Sequence, residues 1–300
     1  MKMTGSMRVF TLLDHTAFLI VSLAMVDSLH FVFARLLLAH FSPSVSTFYV
    51  TAISTLEMAV IGFLWGEIRF KTLFKNIWFF LSIGFLIGAN FTINYEAVAF
   101  VDPGTASLLA KATILMSAGL GIFWLGEKLT RIQIFGGLIA TAGVVVILFQ
   151  PGDYIRFGSL LVLVSAFMYS LHTGIVKRYG GGLDFMEFFF FRLFSTSVLL
   201  FFFAIGRGVL VWPSFGTWPL IILTGSVDVV ISRALFYLVL RRIKMSIHSI
   251  VLTLSPVGAI LWSLILFDTM PSNQQLLGGI AVIAGVLSLT LKPKFELGNH

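Results

Sequence analysis

Ten apolar stretches, each long enough to cross a bilayer as a helix, follow one another along this 300-residue chain with mostly short connections. Hydrocarbon about 30 Å thick needs about 20 apolar residues per helix. The stretches fall at roughly 13–38, 45–66, 76–99, 104–125, 132–150, 158–178, 185–205, 217–240, 246–267 and 275–292. The connections leave no room for a soluble domain. A membrane barrel would alternate apolar and polar residues in segments of about ten, whereas runs such as 188–194 and 136–149 are continuous. Composition agrees: 58% of residues are apolar and 11% charged, against about 45–50% and 25% in soluble domains. The expected class is an all-α integral membrane protein with ten transmembrane helices. The first stretch is too long for a secretory signal and no small-x-small cleavage site follows it, so it reads as the first span. Absence of cysteine removes disulfides, thiolate nucleophiles and thiolate metal sites.

The ten stretches repeat. Ser28-Leu29-His30 returns 142 residues later as Ser170-Leu171-His172, and Gly136-Gly137 with Ala142-Gly143 returns as Gly278-Gly279 with Ala284-Gly285. Tyr95 with Tyr237, Ser107 with Ser249 and Gln133 with Gln275 keep the same register. The chain therefore reads as a first repeat over 1–150, a second over 151–292 and a tail over 293–300. Five spans per repeat is an odd number, so the second copy starts on the opposite side of the membrane from the first. This predicts two inverted five-helix repeats, an arrangement found in carriers.

Charge supports the inversion. Counting alternate connections, one side holds fourteen Lys and Arg residues, from Lys2 and Arg8 through Arg69, Lys71 and Lys75 to Lys292 and Lys294; the other holds Arg156 and Arg207. Cytoplasmic loops carry the excess, so both termini are expected in the cytoplasm of a multi-pass protein of the cell (inner) membrane. The formal charge of +7 follows from this loop bias beside anionic lipid and calls for no nucleic acid.

Each repeat closes on a recognisable pattern. Gly126-Glu127-Lys128-Leu129-Thr130, Gln133, Gly136-Gly137 and Ala142-Gly143 in the first, and Ser255-Pro256, Asp268, Gln275, Gly278-Gly279 and Gly285 in the second, are similar to the drug/metabolite transporters of the EamA type. That resemblance spans nearly the whole chain and implies a ten-helix carrier, with export the commoner direction. Related organellar sugar-phosphate carriers use basic residues on the ninth helix. Residues 251–258 contain none, which disfavours a phosphorylated sugar. The paired glycines read as close helix packing in lipid, and Pro256 as a kink or a break that opens backbone to a cavity.

Polar groups at membrane depth are expensive and are the candidates for function. Asp27 and His30 share a face of the first helix, and His30 can exchange a proton near physiological pH. With Asp228 they form a proton-coupling hypothesis; the plain alternative is a histidine that hydrogen-bonds across helices and never titrates. Asn90, Asn94, Lys111, His172, Arg192 and Arg233 are the candidates for substrate binding. Symmetry places His30 and His172 on opposite walls of one cavity. The competing reading pairs the charges internally: Asp228 with Arg233, Glu187 with Arg192, and Lys111 with Glu57 or Asp27. No His-Glu-x-x-His, Gly-x-Ser-x-Gly or P-loop motif is present, so neither an enzyme nor a cofactor is expected.

These readings combine into a secondary transporter of a small polar metabolite, an amino acid or a related zwitterion or anion. It would export by alternating access, coupled to protons through Asp27, His30 and Asp228. A uniporter, exchanger or uptake carrier for a nucleoside or vitamin is the alternative, followed by a channel or a membrane-embedded enzyme. The expected partners are a small-molecule substrate, the bilayer and protons, with the chain acting as a monomer or a homodimer.

Overall fold

Continuous apolar sequence between polar caps makes helices here, because a backbone in lipid must satisfy its hydrogen bonds within each segment. The computed structural model describes residues 18–64, 68–125, 130–150, 154–242, 252 and 254–290. Seven helices have spanning length and apolarity: α1 (Phe18–Leu38), α2 (Pro43–Leu64), α3 (Ile77–Ala97), α4 (Pro103–Trp124), α6 (Phe157–Tyr179), α7 (Phe185–Gly206) and α8 (Phe215–Phe236). Three shorter apolar ones complete the set among the described residues: α5 (Arg131–Leu148), α9 (Ser255–Phe267) and α10 (Asn273–Thr290). A short helix, Phe70–Lys75, precedes α3, and a two-residue antiparallel pairing (Phe149–Gln150 with Tyr154–Ile155) joins α5 to α6. Gly126, Glu127, Lys128, Leu129, Lys244, Ser249, Val251, Thr253 and the tail lie outside the described residues.

Helix starts explain part of the closing motif. Thr130 and Gln133 form a reciprocal capping box at the head of α5. One repeat later Gln275 Oε1 accepts from the Ser272 N–H at 2.7 Å, and Ser272 Oγ accepts from the Gln275 N–H at 3.3 Å. The repeated glutamines are therefore helix caps. Asp102 caps α4 by accepting from Thr105 N–H at 2.8 Å, with Pro103 in the first turn. Asp268 ends α9 in the left-handed region, φ 51°, a conformation Asp tolerates better than most residues.

The packing carries the pseudo-symmetry. A Cβ on Gly143 would come within 2.5 Å of Gly278 O and 2.7 Å of Val282 N, so α5 and α10 meet backbone to backbone. Gly285 meets Gly136 O and Ala140 in the same way, which is the first contact shifted by one repeat with its partners exchanged. Thr55 Oγ1 and Ser197 Oγ, themselves repeat mates, hydrogen-bond to each other at 2.9 Å between α2 and α7. A residue can touch its own mate only at a two-fold axis, so that axis passes between α2 and α7.

Connections sort onto two faces. On one, Glu187 at the head of α7 accepts from Arg69 Nε and Thr72 Oγ1, each at 3.0 Å, and Arg178 donates to Trp124 O at 3.3 Å. On the other, Tyr49 Oη donates to Val211 O at 2.9 Å, and the Phe100 and Phe157 rings meet edge to face at 5.1 Å. Successive helices therefore run in opposite directions across the bilayer.

Candidate functional site

Three helices lose regularity at or beside the candidate residues, and a fourth begins there. In α1 a turn at Ser28–Leu29 separates Asp27 from His30, with Ser28 Oγ bonded to Met25 O at 2.6 Å. A Cβ on Gly258 of α9 would lie 2.7 Å from Ser28, so α9 presses against the break. In α4 the helix stops at Ala110 and resumes at Ala112, leaving Lys111 at the interruption. In α8 the seven residues Gly225–Ile231, Asp228 among them, are π-helical. Regular α9 begins at Ser255, with Pro256 in its first turn. Such interruptions release backbone groups and re-aim side chains.

The re-aimed side chains meet in two linked groups. Lys111 Nζ donates to Ser255 Oγ at 2.6 Å and lies 3.8 Å from Asp27 Oδ2, while the Arg233 guanidinium lies 3.9 Å from Asp27 Oδ1. One carboxylate thus faces two cations from different helices. In the second group, His30 Nδ1 lies 2.8 Å from Asp228 Oδ2, and Asn94 Nδ2 lies 3.5 Å from His30 Nε2. Ser165 Oγ donates to Asn94 Oδ1, and Asn90 Nδ2 donates to Ser165 O at 2.9 Å. The Tyr95 ring, 1% exposed, sits 6.2 Å from the imidazole.

The second group is a continuous chain from Asp228 on α8 through His30 on α1 and Asn94 on α3 to Ser165 on α6. With Asn94 donating to Nε2, the imidazole keeps its own proton on Nδ1 and directs it to Asp228. A proton added at Nε2 removes the acceptor, so Asn94 must turn. Its other end is held by Ser165, which places the change on α6.

The structure corrects the expected pairing on α1. Asp27 and His30 were read as partners from their three-residue spacing, but the break at Ser28–Leu29 separates them: His30 takes Asp228 from α8 and Asp27 takes Lys111 and Arg233. Asp228 accordingly pairs with His30 and not with Arg233. Glu187 pairs with Arg69, not Arg192, and Glu57 accepts from Ser226 Oγ at 2.5 Å instead of meeting Lys111. Arg192, 9% exposed, stacks over the Phe189 ring at 4.9 Å. His172 lies on α6 beside Tyr169, ring centroids 5.6 Å apart, and within electrostatic reach of Arg192 and Arg233.

Ser165, Ser255 and Tyr95 belong to these groups and were not among the candidates. Ser165 stands four and seven residues before Tyr169 and His172, a same-face spacing visible in sequence. Ser255 is marked only by its neighbour Pro256. Among the described residues no cluster of three or more His, Asp or Glu could hold a metal. A cleft of about 410 Å³ is lined by Leu56, Glu57, Val60 and Ile61; no residue of the Asp27 and His30 groups lines it.

The profile of the EamA-like transporter family matches this sequence twice, at residues 15–149 and 156–291. The chain belongs to that family. As an EamA-like transporter it is 27% identical over 195 residues to the uncharacterized transporter YdfC of Bacillus subtilis, a match covering 64% of each chain and so just under two thirds of that relative. It is 22% identical over 266 residues to the riboflavin transporter ImpX of Fusobacterium nucleatum, covering 81% of this chain and 87% of the relative. A solved crystal structure shares the fold with a TM-score of 0.62 at 18% identity, over 92% of this chain and 96% of the other.

Proposed function

We propose that the protein is a proton-coupled secondary carrier that exports a small polar metabolite, an amino acid or a related zwitterion or anion. It would lie in the inner membrane with both termini in the cytoplasm. Alternating access rocks the two repeats about the axis at Thr55 and Ser197. The observation that carries this reading is the meeting of opposite charges at three interrupted helices, Asp27 between Lys111 and Arg233, and His30 on Asp228. Such pairs can open toward a zwitterion and close again when it leaves. His30 carries the proton. The groups facing it are Asp228 from α8 and Asn94 and Tyr95 from α3, with Asp27 and Arg233 acting from further off.

Purified protein in liposomes loaded with labelled amino acids provides the test. Flux is expected to saturate with substrate and to speed up when a pH gradient is imposed, and His30→Gln should retain binding while losing the response to the gradient. Unchanged pH dependence in that variant would end the coupling proposal. A vitamin carrier is the second reading, favoured by the relative named for riboflavin. Adding riboflavin and nucleosides to the same liposome assay separates the two.

A further inference from the structure

His172 is 5% exposed and neither of its ring nitrogens has a hydrogen-bond partner among the described residues. Buried polar groups are nearly always satisfied, and leaving one unsatisfied is costly. The repeat mate shows what is missing. His30 has a carboxylate at Nδ1 and an amide at Nε2, from Asp228 and Asn94. At the 142-residue offset those positions hold Leu86 and Phe236. The second histidine keeps its place in the fold, but the mates of both residues that satisfy the first one are apolar.

Among the described residues, the charges that act on the unsatisfied imidazole are positive. Arg192 and Arg233 act on it electrostatically, and Arg233 lies with its guanidinium 5.6 Å above the Phe236 ring. A guanidinium offers a planar fork of donors that suits a carboxylate.

We infer that the substrate supplies the missing acid: its carboxylate binds His172, Arg192 and Arg233, in the second repeat's version of the place that Asp228 holds against His30. This rests on the carrier reading and narrows it to solutes with a free carboxylate. It also gives the asymmetry between repeats a purpose. One histidine is satisfied by the protein and can report protonation; the other is satisfied by cargo.

The test is a thermal-shift series on the purified full-length protein with amino acids and short carboxylic acids, each beside its own amide, and with inorganic phosphate. At least one carboxylate should raise the melting temperature while its amide and phosphate do not. His172→Leu should weaken that carboxylate at least tenfold, and Arg192→Gln should do likewise. His172→Leu should also leave the ligand-free melting temperature unchanged or higher, since it removes an unsatisfied buried group. The inference is overturned if amides or phosphate bind as well as carboxylates, if no carboxylate shifts the wild type, or if His172→Leu alone lowers ligand-free stability. The carrier reading survives any of these so long as liposome flux of some solute saturates.

Discussion

Asp27 is a carboxylate held between two cations from other helices. Its two oxygens face Lys111 at 3.8 Å and Arg233 at 3.9 Å, and it is 21% exposed. Removing one member of a buried ion group leaves the others uncompensated, at a cost of about 3–5 kcal/mol. Asp27→Ala should therefore lower the melting temperature in detergent sharply. Adding Lys111→Met should recover part of the loss, because it takes away one of the two stranded cations. If Asp27→Ala melts with the wild type, the ion group contributes nothing to stability. The sequence made the ionisable residues legible and left their partners open. Spacing along a helix constrains only neighbours on that helix, whereas Lys111 and Arg233 come to Asp27 from α4 and α8.

At the scale of helices, the continuous apolar runs were readable and the interruptions mostly were not. Pro256 marks the start of α9 and not a break within it. The π-helical turn at Gly225–Ile231 contains no proline, and its register is held from outside: Ser54 Oγ of α2 donates to Gly225 O at 3.2 Å, and Ser226 bonds Glu57. A break stabilised by a neighbouring helix leaves no mark in its own sequence. The glycines of α5 and α10 were legible, since their spacing repeats and small residues let helices close in lipid. Gly143→Ala should lower the melting temperature, because its methyl would meet the backbone of Gly278 and Val282 on α10, which cannot move aside as a side chain can. Gly119 in α4 provides the contrast, as nothing lies within 4 Å of an added Cβ. Gly119→Ala should be neutral or stabilise by up to about 1 kcal/mol from helix propensity. Equal losses in both variants would mean that glycine is needed for helix flexibility and not for close approach.

The whole molecule is a pair of inverted halves whose ends are fastened with different chemistry. On one face the 68–76 connection is tied to α7 by Arg69 and Thr72 on Glu187. Its symmetry counterpart on the other face is the 210–218 connection, tied to α2 by Tyr49 on Val211, with Trp212 and Trp218 packed on the Tyr49 ring at 6.5 and 5.8 Å. An ionic latch and an aromatic one need not release together, and a carrier must open one face while the other stays shut. Residues on the two-fold axis behave differently, since exchanging the conformations of the halves maps that pair onto itself. The chain has no native cysteine, so both ideas can be tested by cross-linking. A disulfide between Thr55→Cys and Ser197→Cys should form readily, given hydroxyls 2.9 Å apart, and should leave flux in liposomes largely intact. Thr72→Cys and Glu187→Cys, bridged by a short reducible thiol reagent, should stop flux until reductant is added. Blocked flux with the axial disulfide and free flux with the bridged latch would place the moving contact at the axis, and the halves would then have to separate there instead of rocking about it.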